Sequence, residues 1–60
     1  MMIAFRNYGG GVILVNPEYV QALYEPRDDK GGTFIVLHEN EVRVQECILA
    51  VVQHLWRARQ

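Results

Sequence analysis

The chain contains no serine, one threonine (Thr33), one cysteine (Cys47) and one lysine (Lys30), and each shortage removes a class of chemistry. Without serine, a nucleophilic hydroxyl could come only from Thr33, which has no helper residue beside it. A single cysteine rules out an intrachain disulfide, and one Cys with two scattered His matches no zinc-ligand spacing. Cys47 and His54 stand seven residues apart, about 10 Å along a helix axis, too far for an activated thiolate within one helix. No metal, no cofactor and no catalytic residue is therefore assigned. Cys47 itself reads as a small buried hydrophobe at a helix start.

Long hydrophobic runs are also missing. No stretch reaches the ~20 apolar residues of a membrane span, and the N-terminus lacks the basic-then-apolar order of a secretory signal. The expectation is a soluble, cytoplasmic protein without a membrane partner. Half of the 60 residues are hydrophobic and the net charge is −1, which excludes disorder and gives no general attraction to nucleic acid. All seven acids lie between Glu18 and Glu46, whereas the flanking ends carry only Arg6, Arg57 and Arg59.

What remains is a series of short β-type segments over residues 1–45 and a helix over 46–59, within one domain of 1–60. Met1 to Phe5 reads as a strand, and Gly9, Gly10 and Gly11 as a turn needing φ > 0. Val12 to Val15 lacks polar alternation, which predicts burial on both faces. Asn16-Pro17 breaks the chain, and a third strand is expected from about Glu18 to Glu25. Residues 26–32 form a charged turn with Asp28 and Asp29 facing solvent. Thr33 to Leu37 is a fourth strand, Asn40 a candidate left-handed turn residue, and Val42 and Val44 alternate with Arg43 and Gln45 in a fifth. The fold class is α+β: a small, strongly twisted antiparallel sheet of four to five strands followed by one C-terminal helix.

From Cys47 the sequence runs Cys-Ile-Leu-Ala-Val-Val-Gln-His-Leu-Trp-Arg, apolar almost all round, where a surface helix needs only a stripe. A chain of this length buries only ~60% of its unfolded surface. The excess apolar surface predicts a homo-oligomer, by default a dimer, with Leu49, Val52, Leu55 and Trp56 at its interface.

The pieces Met2-Ile3, Asn16-Pro17-Glu18-Tyr19-Val20, Thr33-Phe34-Ile35-Val36-Leu37 and Val42-Arg43-Val44-Gln45-Glu46 together resemble the small FlbD or SwrD family of flagellum-associated proteins. The likeness spans nearly the whole chain. It implies an accessory protein that docks by protein–protein contact on a motor or export component. The family usually has Gly where this chain has Asn40, and Ser where it has Cys47.

Two acid-free segments combine charge with rings. Arg6, Asn7 and Tyr8 precede the glycine run, offering a guanidinium, an amide and a ring, and Trp56, Arg57 and Arg59 repeat the combination at the other end. Brought together between subunits, these six would form an intersubunit pocket for a small anionic, nucleotide-like ligand, as in phage sponges that sequester immune signalling nucleotides. Protein docking of the FlbD or SwrD kind is the alternative, and a small RNA-binding dimer the third reading. Five Arg and one Lys against seven acids argue against nucleic acid as a partner.

Overall fold

The computed structural model describes residues 1–58; the candidate ligand residue Arg59 lies outside them. Five short strands and one helix appear: β1 (Ile3–Arg6), β2 (Val12–Val15), β3 (Ala22–Tyr24), β4 (Thr33–Val36), β5 (Glu41–Val44) and α1 (Ile48–Ala58). The α+β class stands, but the strands form two antiparallel sheets, β1-β2 and β3-β4-β5, rather than one sheet of four or five.

The division has a local cause. After pairing with β2, the chain at Asn7 and Tyr8 turns toward β5 and makes a single bridge, Asn7 to Val44, in which the Tyr8 amide donates to the Arg43 carbonyl and the Gln45 amide to the Arg6 carbonyl. The next rung would carry the Arg6 amide to the Gln45 carbonyl. Instead that amide donates to both carboxylate oxygens of Glu46, at 3.2 and 3.1 Å, as the chain leaves β5 for the helix. The spatial row is therefore β2-β1-β5-β4-β3, interrupted at its centre.

Two expected elements differ. The predicted strand from Glu18 begins instead as a 3-10 turn, Pro17–Tyr19, because the Asn16 side chain accepts the Glu18 amide at 3.0 Å and Pro17 occupies the first helical position. An Asn cap followed by Pro is a helix-start signal, and strand geometry resumes only at Ala22. The helix starts at Ile48 rather than at Glu46. The Cys47 carbonyl accepts its first bond, from the Val51 amide, which makes Cys47 the capping residue.

Glycine supplies the turns as anticipated: Gly10, Gly11, Gly31 and Gly32 have positive φ. Asn40 does not take the left-handed conformation, since no non-glycine residue does so among the described residues. The β4–β5 turn closes instead through the Leu37 amide on the Asn40 carbonyl, at 2.7 Å.

Phe5, Val15, Ile35, Val44 and Val51 form the core, with Ile3, Ile13, Val20, Leu23, Leu37, Val42 and Leu55 packed against it. One side of each sheet and one stripe of α1 meet there. The expectation that β2 is buried on both faces fails: Val15 is buried, but Val12 and Leu14 are exposed, because only one face of the β1-β2 hairpin is covered. Thr33 is the one buried polar residue described, and its hydroxyl donates to the Glu46 carbonyl at 2.8 Å.

Gly32 has φ +87°, and a Cβ there would run into the Val44 carbonyl oxygen, whereas a Cβ at Gly9 meets nothing. Gly32→Ala should therefore cost at least ~2 kcal/mol from backbone strain and overlap together, and Gly9→Ala should fall within ~0.5 kcal/mol of wild type. Urea denaturation of the two variants checks the contrast.

Candidate functional site

Away from its core side, α1 presents a second, exposed apolar face. At 100° per residue, Leu49, Val52 and Trp56 lie within about 60° of one another and roughly 100–160° away from buried Val51. Leu49 is 72% exposed, Val52 46% and Trp56 66%, while Leu55, on the core side, is half-buried. The helix is thus apolar on two separate faces, one spent on the core and one open.

Between that open face and the segment from the 3-10 turn to β3 runs a groove of about 190 Å³, lined by Pro17, Val20, Leu23, Val52, Leu55 and Trp56. None of these six side chains can ionise. Pockets that hold drug-sized ligands occupy ~300–1,000 Å³, so the groove suits one bulky side chain better than a nucleotide.

Within one chain, the five predicted ligand residues that are described, Arg6, Asn7, Tyr8, Trp56 and Arg57, are not assembled into one pocket. Arg6 lines a separate open hollow of about 340 Å³ with Gln45 and Glu46, and Trp56 lines the apolar groove. Arg57 is exposed in the last turn of α1. Asn7 is held by its backbone, its carbonyl accepting from the Gln45 side-chain amide at 2.9 Å. Glu46 brings an acid to the Arg6 hollow, which opposes anion binding there unless a second chain supplies more positive charge. A further hollow of about 540 Å³, lined by Tyr19, Leu37, His38, Glu39 and Asn40, contains no arginine or lysine.

Tyr8 is committed elsewhere. Its ring lies under the Arg43 guanidinium, 3.9 Å from carbon to ring centroid, a cation–π contact that occupies one face of the ring. Arg43 also sits 5.3 Å from the Phe34 centroid, and Phe34 stacks on Tyr24 at 5.0 Å with 13° between the rings. Strand register produces this row, since Tyr24 pairs with Phe34 and Phe34 with Arg43. Arg43 donates through Nη1 and Nη2 to Asp28, at 3.1 and 2.8 Å, and through Nη2 to the Gly31 carbonyl at 2.7 Å. The residue types were visible in the sequence, but their alignment depends on a register that the sequence does not state.

Asp28 therefore belongs to a fork with Arg43 as well as to a solvated turn. The Arg43 hydrogen bonds, followed by the Lys30 amide, hold its carboxyl below the usual carboxylate range. Arg43 is raised in turn, mainly by Asp28. At the far end of the row the Tyr24 hydroxyl donates to Glu41 at 2.7 Å, which raises the phenol.

Cys47, expected to be buried, is exposed at the helix cap. The helix presents its core stripe through Val51, and Cys47 precedes that stripe. His54 sets its ring against Phe5 at 5.9 Å, edge to face. Thr33 has its hydroxyl engaged with Glu46. The described residues contain no cluster of three metal-binding side chains, and no described helix is long and apolar enough to cross a membrane.

Compared with family models, curated proteins and solved structures, the chain matches none. The likeness to FlbD or SwrD thus rests on the quoted residues alone.

Two outcomes follow. A folded-state pKa below the unfolded value means that the Asp28 contribution to stability is present above the ordinary carboxylate pKa and is lost as pH falls through the lowered one. Wild type should exceed Asp28→Asn in urea midpoint at neutral pH, with the two converging at the acid end. Separately, the native Cys47 thiol should react fully with a thiol reagent without denaturant, and Cys47→Ser should change stability by no more than ~0.5 kcal/mol.

Proposed function

We infer that this chain is a non-catalytic, cytoplasmic binding protein that acts through apolar protein–protein contact, in the manner the FlbD or SwrD resemblance implies. The observation that carries this is Trp56. A large ring two-thirds exposed, at the rim of a groove lined by no ionisable side chain, is the composition of an interface centre, where aromatic anchors are enriched and charges depleted. The inventory of reactive groups supports the non-catalytic part: serine is absent and the Thr33 hydroxyl donates to a backbone carbonyl.

Capture of an anionic, nucleotide-like ligand is the second reading. In its favour, the Arg6 hollow falls within the size range of small-ligand pockets, and neither Arg6 nor Arg57 makes an ion pair among the described residues. It requires Trp56 and Arg57 of a second chain to complete the hollow.

An environment-sensitive apolar dye separates the two. At low protein concentration the dye should bind wild type, and Trp56→Ala or Val52→Asp, both at solvent-exposed positions of the groove lining, should weaken binding at least tenfold while circular dichroism stays unchanged. Cyclic nucleotides and ADP-ribose derivatives should neither displace the dye nor produce heat in calorimetry. Nucleotide binding that Arg6→Ala abolishes would transfer the function to the anion-capture reading.

A further inference from the structure

We propose that the occupant of the groove is a second copy of this chain, seated in an antiparallel two-fold pair in which Trp56 of each protomer covers Leu49 of the other and enters the rim of its groove. This rests on the apolar-docking reading and names its partner.

Three observations point to that occupant. Leu49, Val52 and Trp56 follow i, i+3, i+7 spacing, the seam by which one helix packs along another. A two-fold axis near Val52, the middle of the three, lets this seam satisfy itself. Area is the second. Aromatic side chains can bury ~150–250 Å², and with Trp56 66% and Leu49 72% exposed, the seam and its surroundings offer on the order of 500 Å² per copy, the low end for a specific pair.

Charge decides the direction. Glu46 stands just before the first turn of α1 and Arg57 in its last. A parallel pair would set Arg57 beside Arg57 of the partner subunit and Glu46 beside Glu46 of the partner subunit. Antiparallel packing instead brings Arg57 near the partner's Glu46, and it also opposes the two helix dipoles favourably. Bulk agrees, because the largest seam residue then meets Leu49 rather than its own copy.

The groove itself adds specificity. Its volume of about 190 Å³ accommodates one large side chain, and Trp56 is the large exposed one at its rim. In the pair, each groove receives the partner's ring edge.

Sedimentation of the full chain from low to high micromolar concentration should show a monomer–dimer equilibrium, with Val52→Asp and Trp56→Ala shifting the midpoint at least tenfold toward monomer. Both positions are solvent-exposed in the monomer, and circular dichroism would identify any variant that fails to fold. Direction is read by disulfide trapping in a Cys47→Ser background. Val52→Cys should cross-link to itself, and a mixture of Leu49→Cys and Trp56→Cys chains, held at a concentration above the midpoint that loss of the Trp56 ring raises, should form the heterodimer. Efficient self-cross-linking of Leu49→Cys would show a parallel pair and overturn the proposal. A monomer at every concentration would also overturn it. If that monomer still bound the apolar dye through Trp56, the docking reading would stand with another partner, so the two failures are distinguishable.

Discussion

Glu46 is the junction on which the rest of the molecule depends. Its carboxylate closes the end of β1 by taking the Arg6 amide, and its carbonyl takes the hydroxyl of Thr33, the buried polar group at the start of β4. Two sheets and the approach to α1 thus converge on one residue. The arrangement also explains why a mostly apolar core tolerates a hydroxyl. A buried polar group costs little once it is paired, and here pairing fixes where the helix leaves the sheet. Replacing Thr33 by an apolar residue of the same shape would preserve packing but remove that positional constraint.

The molecule has two kinds of surface, which differ in how fully they are used. The outer face of the three-stranded sheet is largely engaged with itself: Tyr24, Phe34, Arg43 and Tyr8 meet one another in turn, Asp28 neutralises the single charge in the row, and Tyr24 and Tyr8 keep only their outer parts exposed, at 42% and 37%. Rings stacked face to face across strands have few free faces left for a ligand. The outer face of α1 is the reverse, with Leu49, Val52 and Trp56 open to solvent. The helix face thus leaves more apolar surface uncovered than the aromatic row, even though the row contains more rings.

Much of the fold was legible because apolar spacing and turn chemistry are local. The hairpin at Gly9–Gly11, the charged turn ending at Gly31 and Gly32, the five strand segments and the helix with surplus apolar surface all follow from residues close in sequence. The 3-10 turn was legible too, through Asn16 and Pro17 acting as cap and first helical residue, but strand-like alternation after Glu18 masked it. Division into two sheets was not legible. It depends on a side chain, Glu46, substituting for a backbone carbonyl 40 positions away from its donor. For the site, the open helix face was legible from Leu49, Val52 and Trp56. The company kept by Tyr8 was not, because Arg43 reaches it only through non-local strand pairing.

The row β2-β1-β5-β4-β3 ends in two open edges, and their lengths have a consequence. β2 has four residues and β3 three, and prolines at 17 and 26 stand close to where they end and where the chain moves on. An edge this short offers a visiting strand too few amide and carbonyl groups to hold it, and proline supplies no donor to extend the row. Main-chain pairing at either edge is thereby disfavoured. Growth into a continuous ribbon through main-chain pairing is discouraged, so any association would rest on side-chain contact.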